Sequence, residues 1–345
     1  MQNEAVDPSS GVVYVQTNEP ERNRVLAFRR ADDGTLTPSG AYETGGAGDG
    51  KPHLTSQGSV VLTGDRRYLL VTNASSGDMS VFTAGEAGPS LVQTVATGRA
   101  PKGSAEHEGL VYVLNTGDPS LTGFRLTGQD VEPLADSTRR LAADTDPAQV
   151  GFSPDGATVV VTERGTNAIA FYPVDAAGRL GEPRVEPSSG PTPYGFACTS
   201  RGDLVVAEAF GAQPGKAAVS SYMIGDGRVT PVSRSVPNGR SEICWAVVTG
   251  DDRYAFTTNF GDGAVSCYSI DADGRLALVK AAAGLAVDGQ AGLRDEDLSS
   301  DGRFLYAIDV GSGRVFGWAI GEAGSLSPIG SWPGLPATAA GLAAS

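Results

Sequence analysis

The sequence predicts an all-β fold, a seven-bladed β-propeller with four antiparallel strands in each blade. Three observations predict it: a sevenfold repeat, short β-branched runs joined by tight turns, and the lack of any long helical periodicity. In each repeat an aliphatic residue precedes an aromatic residue by three positions, at a pitch of 42 to 54 residues. The seven pairs are Val25/Phe28, Met79/Phe82, Leu121/Phe124, Ile169/Tyr172, Val219/Tyr222, Val265/Tyr268 and Val315/Trp318.

A polar residue ends a strand-like run shortly before each pair. In six repeats this residue lies nine or ten positions before the aromatic one, at Asn18, Asn73, Asn115, Glu163, Asn259 or Asp309. Glu208 lies fourteen positions before Tyr222, so this copy carries an insertion. We label the strands of a blade A to D from the axial channel outward. The polar residue then ends strand B, and the pair lies on strand C.

Tight turns separate the predicted strands. Residues 153–156, Ser-Pro-Asp-Gly, are typical of a hairpin between strands A and B, because Pro presets φ and Gly tolerates a positive φ. Residues 271–274, Asp-Ala-Asp-Gly, predict a hairpin between strands C and D. A calcium loop would need a carboxylate at its twelfth position, which this segment lacks.

The two ends of the chain predict how the ring closes. The first repeat has no inner strand, whereas residues 336–344 have the pattern of an inner strand with no hairpin after it. We therefore expect the C-terminal strand to join the N-terminal blade, which removes free sheet edges. Residues 1–345 are expected to form one domain, with residues 1–11 as a flexible N-terminus.

Composition excludes several classes of partner. A formal net charge of −14 disfavours nucleic acid, because an acidic surface repels phosphates. No stretch approaches 18 apolar residues, so no membrane contact is expected. Cys198, Cys244 and Cys267 lack metal-site spacing, and with two histidines in the chain we expect neither a metal nor a cofactor. Without an apolar signal segment the chain predicts a cytoplasmic protein; secretion is the alternative if a leader peptide was removed.

One face of the ring is expected to carry the functional site. Because strands A and B are antiparallel, the B–C and D–A loops meet on one face, which we call the mouth. The longer loops all lie there, at residues 45–58, 135–147, 186–193, 211–216, 234–243 and 281–293. Variable loops on a rigid frame are where binding groups usually lie.

Glu163 and Glu208 are the predicted catalytic residues, because they end strand B in consecutive blades where Asn is the usual residue. A carboxylate on a partly desolvated wall has a raised pKa, and two of them can act as general acid and base. In the alternative interpretation both are solvated or pair with Arg164 and Lys216.

Cationic and aromatic residues near the mouth are predicted to bind a small, anionic substrate. Lys102 and Arg294 can hold an anionic group; ion pairs with Asp295, Glu296 and Asp309 are the alternative. Tyr194 and Trp245 form an apolar wall or pack into the inner layer of the ring. His53 lies in the loop before strand A of blade two, where its imidazole could titrate near the mouth; the alternative is an exposed loop histidine with no role in the site. The full predicted substrate-binding set is His53, Lys102, Gln149, Arg164, Tyr194, Trp245, Arg294 and Asp309.

Three segments resemble a known family: residues 69–73, residues 256–259 and the turn at residues 153–156. They are similar to the lactonase-type seven-bladed propellers, which include a form of 6-phosphogluconolactonase and the fungal carboxymuconate lactonising enzyme. Residues 192–196 and 207–211 resemble actinobacterial members of uncertain activity. The resemblance implies a His, Arg and Glu set at the mouth. Here Gln149 and Val247 stand where His and Arg would be, and Glu163 is displaced by one position.

Two functions remain open on these grounds. The first is an enzyme that acts on a lactone or a related cyclic carboxylate by carboxylate acid/base chemistry, either a hydrolase or a lactonising cyclase or isomerase. The second is a non-catalytic propeller that binds a small ligand or a protein partner on the same face, since the family's His and Arg are missing.

Overall fold

The computed structural model describes residues 11–51, 57–85, 88–225 and 228–345. The strands form seven antiparallel sheets, which are the seven blades of the predicted propeller. Within each blade the strands follow one another from the channel outward. Blade one contains β29 (Ala340–Ala344), β1 (Gly11–Gln16), β2 (Arg24–Arg30) and β3 (Leu36–Glu43). Blade two contains β4 (Val60–Leu62), β5 (Tyr68–Asn73), β6 (Asp78–Thr83) and β7 (Ser90–Ala96).

Blades three to five continue this order along the chain. Blade three contains β8 (Pro101–His107), β9 (Leu110–Asn115), β10 (Ser120–Thr127), β11 (Asp130–Pro133) and β12 (Arg139–Arg140). Blade four contains β13 (Pro147–Phe152), β14 (Thr158–Glu163), β15 (Ala168–Pro173) and β16 (Arg184–Pro187). Blade five contains β17 (Pro193–Cys198), β18 (Asp203–Glu208), β19 (Ala218–Gly225) and β20 (Arg228–Pro237).

Blades six and seven complete the ring. Blade six contains β21 (Ile243–Val248), β22 (Tyr254–Asn259), β23 (Ala264–Ile270) and β24 (Leu276–Leu285). Blade seven contains β25 (Leu293–Leu298), β26 (Phe304–Asp309), β27 (Arg314–Ile320) and β28 (Leu326–Pro333). Short 3₁₀ helices occur at Phe210–Ala212 and Glu322–Gly324. The first of them lies in the insertion that the sequence predicts after Glu208.

Blade three departs from the four-strand pattern. Its outer strand is divided into β11 and β12, which pair with opposite ends of β10. Between β11 and β12, the hydroxyl of Ser137 donates to the backbone carbonyl of Gly123. The amide of Gly123 donates in turn to the hydroxyl oxygen of Ser137. A side chain therefore replaces the backbone pairing where the strand is interrupted.

The predicted ring closure is confirmed. β29 pairs antiparallel with β1, from Val13 opposite Ala344 to Gln16 opposite Ala340. The amide of Val12 also donates to the hydroxyl of Ser345 at 2.9 Å. Gly11, which the sequence analysis placed in a flexible N-terminus, is the first residue of β1.

The seven aliphatic and aromatic pairs lie on strand C and are all at most 3% exposed. Residues three positions apart on a strand point to opposite faces of the sheet. Val25 accordingly packs with Leu69 of blade two, whereas Phe28 packs with Phe304 and Tyr306 of blade seven. One pair therefore fills the apolar layers on both sides of its blade, which explains the repeat.

The described part of the chain offers no helix long and apolar enough to cross a membrane. It also has no cluster of three or more His, Cys, Asp or Glu residues arranged to hold a metal ion.

Candidate functional site

A cavity of about 450 Å³ opens on the mouth face between blades four, five and six. We call it the mouth pocket. It is lined by Arg164, Thr192, Tyr194, Ala209, Gly211, Ala212, Glu242, Ile243, Cys244 and Phe260. Its volume lies within the range of about 300–1,000 Å³ that is typical of small-molecule sites.

The mouth pocket is built from equivalent positions of the repeat. In each of three blades, the residue after strand B donates its amide to the carbonyl of the residue just before strand A. These bonds run from Arg164 to Asp146, from Ala209 to Thr192 and from Phe260 to Glu242. Asp146, Thr192 and Glu242 have φ between 41° and 59°. The repeat thus fixes an uncommon backbone conformation at this junction, and the sequence decides which side chains surround the pocket.

Arg164 is held at the edge of the pocket by its own blade. Its Nη2 lies 2.7 Å from Oδ1 of Asp146, and its guanidinium lies 5.0 Å above the ring of Tyr194. In the described part of the chain Nη1 has no hydrogen-bond partner. This side chain can donate to an oxyanion without losing its existing contacts.

Glu242 occupies the position in blade six that Asp146 occupies in blade four. Its counterpart across the junction is Phe260 rather than an arginine, so the repeat supplies no ion pair. Among the described residues its half-buried carboxylate makes no hydrogen bond or ion pair, and Arg164 is not paired with it. A carboxylate of this kind can accept a proton from water.

Tyr194 and Cys244 also line the pocket, and Trp245 packs against Tyr194. The rings of Tyr194 and Trp245 lie 4.9 Å apart, and both residues are at most 4% exposed. Burial raises the pKa of Tyr194, so the phenol is neutral, and its hydroxyl has no hydrogen-bond partner within the described ranges. Burial also raises the pKa of the Cys244 thiol to about 12, so it is not a nucleophile near neutral pH.

Glu163 does not line this pocket, although it is next to Arg164 in the chain. Its Oε2 accepts from Thr166 at 2.7 Å, and its charged neighbour is Asp144 on the loop from blade three. Burial raises the pKa of Glu163, and the nearby Asp144 adds to this effect. The side chain is 5% exposed, and Arg164 pairs with Asp146 instead of with it.

Glu208 is completely buried and is held by four donors. Its Oε1 accepts from the amide of Gly190 at 2.8 Å and from the hydroxyls of Ser188 at 3.2 Å and Ser220 at 2.6 Å. Its Oε2 accepts from Ser235 at 2.7 Å. Among the described contacts, Glu208 and Glu163 share no neighbour, and Lys216 does not pair with Glu208. The predicted acid/base pair is therefore not brought together.

The environment of Glu208 repeats a structural contact seen at the strand-ending asparagines. Asn73 donates to Ser80 at 2.7 Å, Asn115 to Thr122 at 3.1 Å and Asn259 to Ser266 at 3.0 Å. Ser220 is the corresponding hydroxyl residue in blade five. Glu208 therefore fixes the loop before β17 to its blade, as the asparagines do elsewhere.

The two cations predicted to hold a substrate are both neutralised within the protein. Lys102 Nζ lies 3.2 Å from Oδ2 of Asp49, and Arg294 Nε lies 2.9 Å from Oδ2 of Asp295. Arg294 and Asp295 are each 1% exposed. The arginine pair matches the alternative considered from the sequence, whereas Lys102 takes a different partner from those considered.

The remaining predicted residues are spread around the ring. Gln149 exchanges two hydrogen bonds with the backbone of Phe196, at 2.9 and 2.7 Å, and so joins two inner strands. Asp309 accepts from the amide and hydroxyl of Ser312 in the turn after β26. His53 lies outside the described residues. Of the predicted set, the structure brings Arg164, Tyr194 and Trp245 together.

Comparison with known proteins gives the family of the chain. The family model described as "Lactonase, 7-bladed beta-propeller" matches residues 59–210 and 207–339. The chain belongs to this lactonase family. No curated protein sequence matches it.

Solved structures with little sequence identity share the lactonase propeller fold. A protein from Lactobacillus plantarum has a TM-score of 0.77 at 16% identity, over 97% of this chain and 99% of its own. A candidate 6-phosphogluconolactonase from Bacteroides fragilis has a TM-score of 0.74 at 18% identity, over 99% and 100%. The periplasmic gluconolactonase of Pseudomonas aeruginosa has a TM-score of 0.73 at 17% identity, over 97% and 99%.

The lactonase ring also encloses a larger axial cavity of about 960 Å³. Gln57, from the loop before β4, exchanges hydrogen bonds of 3.1 and 3.3 Å with the backbone of Ala246 in β21. Blades two and six are not neighbours, so this side chain spans the channel. On the hairpin face the cavity is lined by residues of the A–B turns, together with Glu296 and Asp297 of β25.

Asp297 is expected to make the stability of this lactonase propeller depend on pH. Burial raises the pKa of Asp297 from 3.8 to about 6, although the amides of Ala344 and Leu298 donate to it. Between these values the folded chain holds a proton that the unfolded chain has released. This bound proton stabilises the folded chain fully below about pH 4, and the stabilisation is lost as the pH rises through about 6. The free energy of unfolding falls by at most about 3 kcal/mol over this range. Melting temperatures from pH 4 to 8 should therefore fall less steeply for Asp297→Asn.

Asp301→Asn is the matched control for that comparison. Hydrogen bonds from Ser299 and Arg303 outweigh burial and lower the pKa of Asp301 to about 2. Its stabilisation is lost only as the pH falls towards 2, so the substitution should lower the whole curve between pH 4 and 8 without changing its slope. Equal slopes for the wild type and Asp297→Asn would contradict the assignment.

Sequence reasoning missed Glu242, Phe260 and Thr192. Most predicted site residues end strand B or lie in the opening of strand A. Thr192 and Glu242 come just before strand A, and Phe260 comes just after strand B. A signal for Thr192 and Glu242 is present in the repeat. When the blades are aligned, Asp146, Thr192 and Glu242 occupy one position at the mouth, and its side chain is charged in some blades and uncharged in another.

Proposed function

We propose that the protein hydrolyses the ester bond of a lactone bound in the mouth pocket. One observation carries the proposal: an arginine and a carboxylate line the same small pocket without being paired to each other. Membership of the lactonase family supports this choice of reaction. It also supports a small molecule as the substrate.

In this mechanism Glu242 accepts a proton from a water molecule as the water oxygen bonds to the lactone carbonyl carbon. Arg164 stabilises the oxyanion that forms on the carbonyl oxygen, and the ring of Tyr194 packs against its guanidinium. The intermediate then reforms the carbonyl and breaks the ring C–O bond. The proton on Glu242 passes to the ring oxygen, and the product is a hydroxy acid.

Of the two catalytic residues predicted from the sequence, this proposal keeps Glu163 as a candidate and leaves Glu208 out. Glu163 keeps a raised pKa and lies next to Arg164 in the chain, so it remains the second carboxylate candidate. Glu208 is not used in the mechanism, because a buried carboxylate with four donors is poorly placed to exchange a proton with a substrate.

Arg164→Met tests the proposed function directly. Losing one preorganised oxyanion donor typically lowers turnover by about 10²–10³-fold, and we expect this loss in kcat/KM for any lactone the protein hydrolyses. Arg29→Met, at an exposed arginine on β2, is the control and should retain wild-type turnover. Lactone hydrolysis at the spontaneous rate across a broad panel would reject the enzyme function.

Binding without catalysis is the alternative function, and one observation favours it. Gln149 stands where the family resemblance implies a histidine, and both polar atoms of its side chain bond the backbone of Phe196. In that case a lactone or its hydroxy acid would stabilise the protein against unfolding in an Arg164-dependent way, yet would not be turned over.

A further inference from the structure

We infer that the substrate is an apolar lactone, with an alkyl or aryl substituent, rather than a polyhydroxylated or phosphorylated sugar lactone. This inference rests on the proposed function and concerns the same mouth pocket. It follows from what lines the pocket and from how many of its polar groups are available to a ligand.

Most of the lining is apolar. Seven of the ten lining residues offer carbon, a neutral thiol or an aromatic ring: Tyr194, Ala209, Gly211, Ala212, Ile243, Cys244 and Phe260. The thiol of Cys244 is directed at the carbonyl of Glu242, with Sγ 3.4 Å from the oxygen. An alkyl or aryl group buried against these surfaces would contribute about 0.8 kcal/mol per CH₂.

The polar part of the lining is small, and the ester uses most of it. The hydroxyl oxygen of Thr192 already accepts from the amide of Gly211 at 3.0 Å, which leaves one O–H donor. Arg164 and Glu242 are the other polar side chains of the lining that a ligand can reach, and the reaction needs them for the oxyanion and the water. Most hydroxyls of a sugar lactone would enter this pocket without partners, at about 1–3 kcal/mol for each unmet group.

Charge leads to the same conclusion. Arg164 is the one cation among the lining residues, and Glu242 is an anion in the same pocket. A phosphate substituent would compete with the oxyanion for Arg164 and would be repelled by Glu242. Lys102 and Arg294 are not available to bind that phosphate, because each is already paired with an aspartate. Opening an apolar lactone produces a single carboxylate, which one arginine can hold.

A panel of δ-lactones that differ in their substituents tests the inference. We expect kcat/KM for δ-decalactone to exceed that for δ-valerolactone by about 10²-fold, because part of the five-carbon tail is buried. Glucono-δ-lactone and 6-phosphoglucono-δ-lactone should hydrolyse at the spontaneous rate. Phe260→Ala should lower kcat/KM for δ-decalactone about tenfold and lower kcat/KM for δ-valerolactone by a smaller factor, whereas Leu278→Ala, on the outer strand of blade six, should change neither.

The outcomes separate the two claims. If a sugar lactone is hydrolysed as fast as δ-decalactone in an Arg164-dependent way, the proposed function holds and the apolar substrate class is wrong. If no lactone is hydrolysed, the proposed function fails and the inference fails with it. If δ-decalactone is preferred but Phe260→Ala has no effect on its turnover, the preference does not arise in the mouth pocket and the inference is overturned.

Discussion

Glu242→Gln is expected to lower kcat for lactone hydrolysis by about 10²–10⁴-fold, which is the usual loss when a general base is removed. Glutamine keeps the size of the side chain but cannot accept the proton from water. KM should change little, because the pocket keeps its shape. Steady-state rates from a pH-stat assay at saturating substrate measure the effect.

The controls for this variant separate a general base from a general effect of charge. Glu132→Gln, at an exposed residue of the outer strand β11, should retain full activity. Glu163→Gln compares the carboxylate chosen from the sequence with the one found in the pocket. If Glu163→Gln lowers kcat more than Glu242→Gln does, Glu163 rather than Glu242 accepts the proton.

Glu208→Ala is expected to reduce the free energy of unfolding by about 3 kcal/mol. The substitution leaves a buried amide and three serine hydroxyls without their shared acceptor, and each unmet buried group costs about 1–3 kcal/mol before rearrangement. Urea unfolding, followed by tryptophan fluorescence and circular dichroism together, measures the change.

Two further variants define what Glu208 contributes. Glu208→Gln keeps one acceptor oxygen and should lose less than Glu208→Ala, and Glu132→Ala should lose almost nothing. A Glu208→Ala variant with unchanged stability but no lactone turnover would restore Glu208 to the catalytic role that the sequence suggested.

The fold was predictable because its determinants are periodic. Val25 and Phe28 are separated by an odd number of positions on one strand, so they must face opposite neighbours, and the same spacing recurs in every blade. The closure by β29 followed from counting strands at the two ends of the chain. Neither inference required knowledge of which loops approach one another.

The candidate site was less predictable because it depends on contacts between loops of different blades. Glu208 stands out in the sequence as a replacement for Asn, but Ser188, from the loop after β16, and Ser235, from β20, supply donors that suit an acid there. Glu242 looks ordinary in the sequence, and it matters because Phe260 replaces the arginine that would have paired with it. Burial of Arg294 beside Asp295 likewise depends on a pairing that composition cannot reveal.

A crystal structure of the Glu242→Gln variant with δ-decalactone bound tests the central claim most directly. The account predicts the lactone in the mouth pocket, with its carbonyl oxygen within hydrogen-bonding distance of Arg164 and its alkyl tail against Phe260. A lactone bound only in the axial cavity, beside Glu296 and Asp297, would contradict it.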